Sequence, residues 1–215
     1  MNKDINICVL TASGRLTSFR KNILKSAKNS LKIIKYKIPV NNVDIVFYDN
    51  PYGAIPHLGI GAHTLNPHLV CISLDPDFSH FEKTIKEETA RTLAHELHHC
   101  IRWQNHSSMY ATLLDAMITE GLADHFDIEI TNKKPQAWDT ALASKQYNRL
   151  SIKAEREYRN KNYNHYEWFF GSKRKSIPKW TGYTIGFNIV GEYLKKHPDK
   201  KPSQLYAVQT EGFIK

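Results

Sequence analysis

The 215-residue chain is predicted to be an α+β protein, with a small mixed or antiparallel sheet packed beside a helical half. Three observations predict it. Short β-branched runs crowd the first third of the chain, and apolar residues three or four apart dominate the remainder. No internal repeat or low-complexity linker interrupts residues 1–215, so a single domain with one real core is expected. The order is strand, helix, strands, then helices, which separates the two kinds of element.

Ile5 to Leu10 alternates weakly and reads as a first strand. Thr17 to Lys37 reads as an amphipathic helix with Phe19, Ile23, Leu24, Ala27, Leu31 and Ile34 on its apolar side, ended by Pro39. Val43 to Tyr48 is a β-branched and aromatic run, the second strand. Asp49-Asn50-Pro51-Tyr52-Gly53 is a loop signal. His57 to Thr64 and Leu69 to Leu74, with Asn66-Pro67 between them, look like a hairpin. Asp75-Pro76-Asp77 then opens a helical region, Phe81 to Leu97. From Ser79 to Tyr110 no Gly or Pro interrupts. Leu113, Met117, Ile118, Leu122 and Phe126 predict a further helix, broken at Asn132 to Pro135. Gln136 to Arg159 is predicted helical, with Trp138, Leu142 and Leu150 inward. Asn160 to Lys179 reads as a loop-rich segment bordering a cleft. A helix from Thr181 to Lys196 is stopped by Pro198, and Ser203 begins a short C-terminal helix.

The chemistry concentrates in His95-Glu96-Leu97-His98-His99. This is H-E-x-x-H, and on a helix His95 and His99 share a face. Two imidazoles so placed can bind one zinc ion, with Glu96 acting on a metal-activated water. The chain has 11 histidines, so the spacing alone is not decisive; its position inside a breaker-free helical run is what gives it weight. His98 points about 100° away from His99 and reads as a packing or hydrogen-bonding residue, and Cys100 is also off the ligand face.

A catalytic zinc takes three protein ligands and leaves one position open. His106 lies about 10 Å along the helix from His99, too far to share an ion bonded at about 2 Å. The metzincin pattern needs Gly at position 102 and His at 105, where this chain has Arg102 and Asn105. Glu120, 21 residues after His99 in Ile118-Thr119-Glu120-Gly121, is the expected third ligand, carried on a returning helix. Asp124 lies one turn further on, on the same face. It is suited to accept the free ring N–H of a zinc-bound histidine. Against this stands the plainer reading of both as surface carboxylates.

His95-Glu96-x-x-His99 followed by Glu120-x-x-x-Asp124 resembles the gluzincin arrangement of thermolysin-like metallopeptidases. More narrowly, Thr92-Leu93-Ala94-His95-Glu96-Leu97-His98-His99, Glu120-Gly121-Leu122-Ala123 and Gly182-Tyr183-x-x-Gly186 resemble a bacterial family of predicted zinc-dependent proteases of otherwise unknown function. The motif residues span Leu93 to Val190. The resemblance implies a zincin-like fold and one zinc per chain. It also implies an edge strand, Gly59 to Thr64 or Leu69 to Ser73, on which a peptide substrate pairs.

Peptide hydrolysis follows as the expected activity. Zinc brings the pKa of its water from about 15.7 toward 7. Glu96 would accept the water proton and pass it to the leaving amine. Tyr183, between Gly182 and Gly186, is the candidate oxyanion donor because small flanking residues let a substrate approach. Core packing explains Tyr183 equally well, since Tyr183, Phe187, Val190 and Leu194 form an apolar stripe. Tyr110 and His125 are alternatives. A catalytically silent zinc-containing binding or regulatory protein is the competing function.

Composition bounds the rest. Hydrophobic residues at 41% and charged residues at 24% fit a globular protein. No 18-residue apolar run exists, so no membrane span is expected. The N-terminal apolar run, from Met1 to Leu10, is too interrupted for a signal peptide, and cytoplasmic residence is expected. Cys8, Cys71 and Cys100 fit reduced thiols better than a disulfide framework. The net charge of +9 concentrates in Lys21 to Lys37, Lys153 to Lys179 and Lys195 to Lys201. Solvated helix faces explain it better than a nucleic-acid surface, because no zinc-finger spacing, arginine-rich tract or RNA-binding aromatic motif is present. Such faces would still favour acidic partners.

Overall fold

The computed structural model describes residues 5–214; the first four residues of the N-terminal run and Lys215 lie outside them. The chain divides into two compact units, Met1–Gln104 and Asn105–Lys215. Its described residues form seven α-helices and one four-stranded mixed sheet, an α+β arrangement as the sequence predicts.

The first unit holds the sheet. Strand β1 (Ile5–Val9) is followed by helix α1 (Arg20–Lys37) and strand β2 (Val43–Asp49). β1 and β2 pair in parallel, as a helical crossover requires. β3 (Ile60–Asn66) and β4 (Leu69–Leu74) form the predicted antiparallel hairpin. β4 also pairs in parallel with β2, giving the order β1-β2-β4-β3. β4 is therefore paired on both sides, and of the two predicted edge segments only the one in β3 lies at an edge. Ile45 and Phe47 of β2, Val70 and Ile72 of β4, and Ile23, Ala27 and Ile34 of α1 are buried in the core. α1 begins three residues later than predicted and ends at Lys37, before Pro39.

The helical run that follows is not continuous. α2 (Phe81–Glu87) stops at Glu88, and α3 (Thr89–Asn105) restarts the helix. The Thr89 hydroxyl donates to the Ile85 carbonyl at 2.7 Å, a local bond that competes with the helical ladder where α2 ends and α3 begins. The whole H-E-x-x-H motif lies inside α3.

The second unit is helical. α4 (Leu113–Thr131) opens with a capping box: Thr112 Oγ1 accepts from the Asp115 N–H at 3.2 Å, and Asp115 Oδ2 accepts from the Thr112 N–H at 3.0 Å. It ends at Asn132, which takes the left-handed conformation. α5 (Ser144–Glu157) is shorter than the predicted 136–159. Asp139 Oδ2 accepts from the Gln136 N–H at 2.6 Å, so residues 136–139 close a side-chain-held turn in place of the first helical turns. α6 (His165–Phe170), capped by Asn164, occupies part of the segment read as loop. α7 (Thr181–Lys196) has the predicted bounds. The predicted C-terminal helix is two short 3₁₀ turns, Pro202–Gln204 and Thr210–Phe213.

α4 and α7 pack at very close range. A Cβ on Gly121 would collide with the Gly186 carbonyl, and one on Gly186 with the Met117 carbonyl. Only glycine at both positions permits this approach. Leu113, Met117, Trp168, Phe169 and Ile185 close one core around the contact, and Leu114, Ile118, Val190, Leu205 and Phe213 another.

Candidate metal centre and its neighbours

α3 presents the histidine pair that the spacing predicts. The Nε2 atoms of His95 and His99 lie 2.9 Å apart, with the two rings nearly perpendicular. Two nitrogens bonded to one tetrahedral zinc at about 2.1 Å stand about 3.3 Å apart, so the pair fits the ion with a small adjustment. His98 is buried and lies on another face of the helix. Burial pushes the Cys100 thiol up to about 12, aided by the Glu96 charge and opposed by Thr64, which keeps it from acting as a thiolate.

Glu96 is tied to the edge strand. Thr64 Oγ1 of β3 lies 2.8 Å from Glu96 Oε2 and 2.9 Å from the Glu96 carbonyl oxygen. The carboxylate expected to act as base is thus anchored to the strand expected to receive a peptide. His57, His63 and His68 are all exposed, and the His68 ring bonds the Asn42 carbonyl at 2.8 Å.

In the second unit, Glu120 is buried on α4 and accepts a 2.9 Å hydrogen bond from the Tyr110 hydroxyl. The Tyr110 ring lies 5.5 Å from that of His165, which stacks on Phe169 and contacts the Tyr163 hydroxyl at 3.1 Å. Burial lowers the His165 pKa, against the opposing pull of Glu120. Burial also raises the Tyr163 hydroxyl, with the Glu120 and Asp115 charges adding to it.

Asp124, also buried on α4, accepts from Trp138 Nε1 at 3.3 Å and lies beside the buried carboxyl of Asp139. Burial, then the neighbouring Asp124 charge, raises the Asp139 pKa to about 10. Two carboxyls so close cannot both ionise at neutral pH, so the pair retains a proton.

The glycines beside Tyr183 are filled by packing and leave no room for a substrate. Gly182 abuts the Phe169 ring and Gly186 the Met117 backbone. Tyr183 itself sits edge-on to Phe169 with ring centroids 5.0 Å apart. His125 bonds the Phe187 carbonyl at 2.9 Å and stacks on the Phe187 ring. Burial lowers its pKa. His106, excluded as a ligand by spacing, contacts the Tyr206 carbonyl at 3.1 Å.

A protein family described as "Predicted Zn-dependent protease (DUF2268)" matches residues 23–215. The chain belongs to this family. It is also similar to the "Uncharacterized protein YjaZ" of Bacillus subtilis (strain 168), with 33% identity over 108 residues. That match takes in 47% of this chain and 41% of the relative, so it spans less than half of either protein. No solved structure matches the chain.

For this member of the predicted zinc-dependent protease family, the sequence singled out His95, Glu96, His99, Glu120 and Asp124 as candidates, and did not single out Thr64, which contacts Glu96, or Asp139, which lies beside Asp124. Thr64 meets Glu96 across 32 residues, and no local spacing announces such a contact. Asp139 carried one signal, an acidic residue shortly after Pro135, which favours a side-chain-held turn over a helix start.

Proposed function

We propose that the protein is a zinc-dependent metallopeptidase of gluzincin type with a zincin-like fold, its two units acting together as one catalytic domain. The observation that carries this reading is the convergence of His95 and His99 Nε2 at 2.9 Å on a helix whose Glu96 carboxylate is anchored to an edge strand. The family description agrees with it.

In this proposal His95, His99 and Glu120 hold one zinc, and Asp124 orients a ligand histidine. When bound, zinc acidifies a water and polarises the scissile carbonyl. Glu96 accepts the water proton and returns it to the leaving amine. Thr64 holds the Glu96 carboxylate in place, and a peptide backbone pairs with the outer edge of β3. Of the oxyanion donors, Tyr110 has its hydroxyl beside Glu120, whereas Tyr183 is engaged in aromatic packing. Tyr110→Phe against Tyr183→Phe therefore separates the two assignments by which one lowers kcat. Cytoplasmic residence completes the reading, supported by three free cysteines.

The test is metal content by plasma mass spectrometry for wild type, His99→Ala and Glu120→Ala, followed by a peptide-library digest with Glu96→Gln as control. Near-stoichiometric zinc, lost in both variants, with cleavage abolished in Glu96→Gln, is the expected result. Zinc without cleavage leaves a zinc-containing binding protein. No zinc in wild type overturns the proposal.

A further inference from the structure

α1 carries a cationic face that no acidic side chain among the described residues pairs with. Lys21, Lys25, Lys28, Lys32 and Lys35 are all exposed. At 100° and 1.5 Å per residue they fall within about 80° of arc along about 21 Å of helix, opposite the buried face of Ile23, Ala27 and Ile34. α1 contains no Asp or Glu, and among the described residues none of the five lysines forms an ion pair. Like charges three and four apart repel, so the helix keeps this row at a cost to its own stability. Beside the stripe, Tyr36 is 87% exposed.

We infer that this face of α1 docks the protein peripherally on an anionic lipid bilayer. The five lysines form one band along the helix and can reach one plane together, which a membrane surface offers. Each lysine near such a surface adds to binding, and a cluster of four to eight on a helix suffices for recruitment. Tyr36, about 60° around the helix from the centre of the stripe, would enter the headgroup layer, where an aromatic ring with a polar tip gains. Against a nucleic-acid strand, the stripe has no arginine fork for phosphate, and the single flanking ring of Tyr36 offers no row of platforms for successive bases. No helix among the described residues is long and apolar enough to cross a membrane, so the contact is superficial. The inference does not depend on the proposed peptidase activity.

The experiment is co-sedimentation of the full chain with vesicles of phosphatidylcholine alone and of phosphatidylcholine with phosphatidylserine, at low and high salt. Wild type and the triple variant Lys25→Gln, Lys28→Gln, Lys32→Gln are compared, with folding checked by circular dichroism. Wild type is expected to bind only the anionic vesicles, to be released by salt, and to bind about 100-fold more tightly than the variant. A second variant, Tyr36→Ser, weakens binding while keeping its salt dependence. Absence of wild-type binding, equal binding by the folded triple variant, or stronger lysine-dependent binding to single-stranded RNA at the same salt overturns the inference.

Discussion

One hydroxyl connects the strand edge to the expected base. Thr64 has a single proton to share between the Glu96 carbonyl and carboxylate. Thr64→Val keeps the shape and removes the donor. It is expected to lower kcat/KM about ten-fold with zinc content unchanged, while Thr64→Ser retains most activity. Asp139 gives a second prediction. Folding raises its pKa from 3.8 to about 10, so the folded state keeps a proton that the unfolded state releases between those values. Its contribution to stability therefore falls as pH rises across that window. Asp139→Asn retains a hydrogen-bond donor at every pH. Its melting temperature is expected to exceed that of wild type at pH 8, with the gap narrowing toward pH 5; parallel melting curves would refute this. At this scale the sequence showed what spacing can show. His95, Glu96 and His99 are local, and helical periodicity brings them together. Thr64, Tyr110 and Asp139 matter through tertiary contacts that no period encodes.

Among the elements, those with a clean period and a strong stop were legible. α1 stops before Pro39, α7 before Pro198, and the hairpin turns at Asn66-Pro67. The errors have a common cause, side chains that take over backbone bonds. Thr89 interrupts the α2–α3 run, and Asp139 holds the turn that displaces the start of α5. α6 is six residues long, too short to display a helical period. The glycines of α4 and α7 yield the prediction at this scale. Gly186→Ala places a methyl group against the Met117 carbonyl and is expected to cost about 1–3 kcal/mol in urea unfolding. Because α4 also carries Glu120, the same variant is expected to bind zinc more weakly than wild type.

For the molecule as a whole, a ligand that binds only the folded chain stabilises it in proportion to its saturation. At a zinc activity about 100-fold above the dissociation constant the gain is about 2.7 kcal/mol. Chelation is therefore expected to lower the melting temperature by roughly 5–10 °C, and Glu120→Ala to abolish that difference. One consequence follows from β3. Its residues, Ile60 to Asn66, include no charged side chain and no proline, and Leu65 is 56% exposed. Proteins ordinarily guard such a border with lysine, proline or a bulge, because an open strand recruits copies of itself. Here only the two ends are guarded, by the Ile55–Ile60 bridge and by the register shift between Thr64 and Asn66, so concentrated protein is expected to self-associate through the middle of the strand, and a short extended peptide that occupied it would act as a solubiliser.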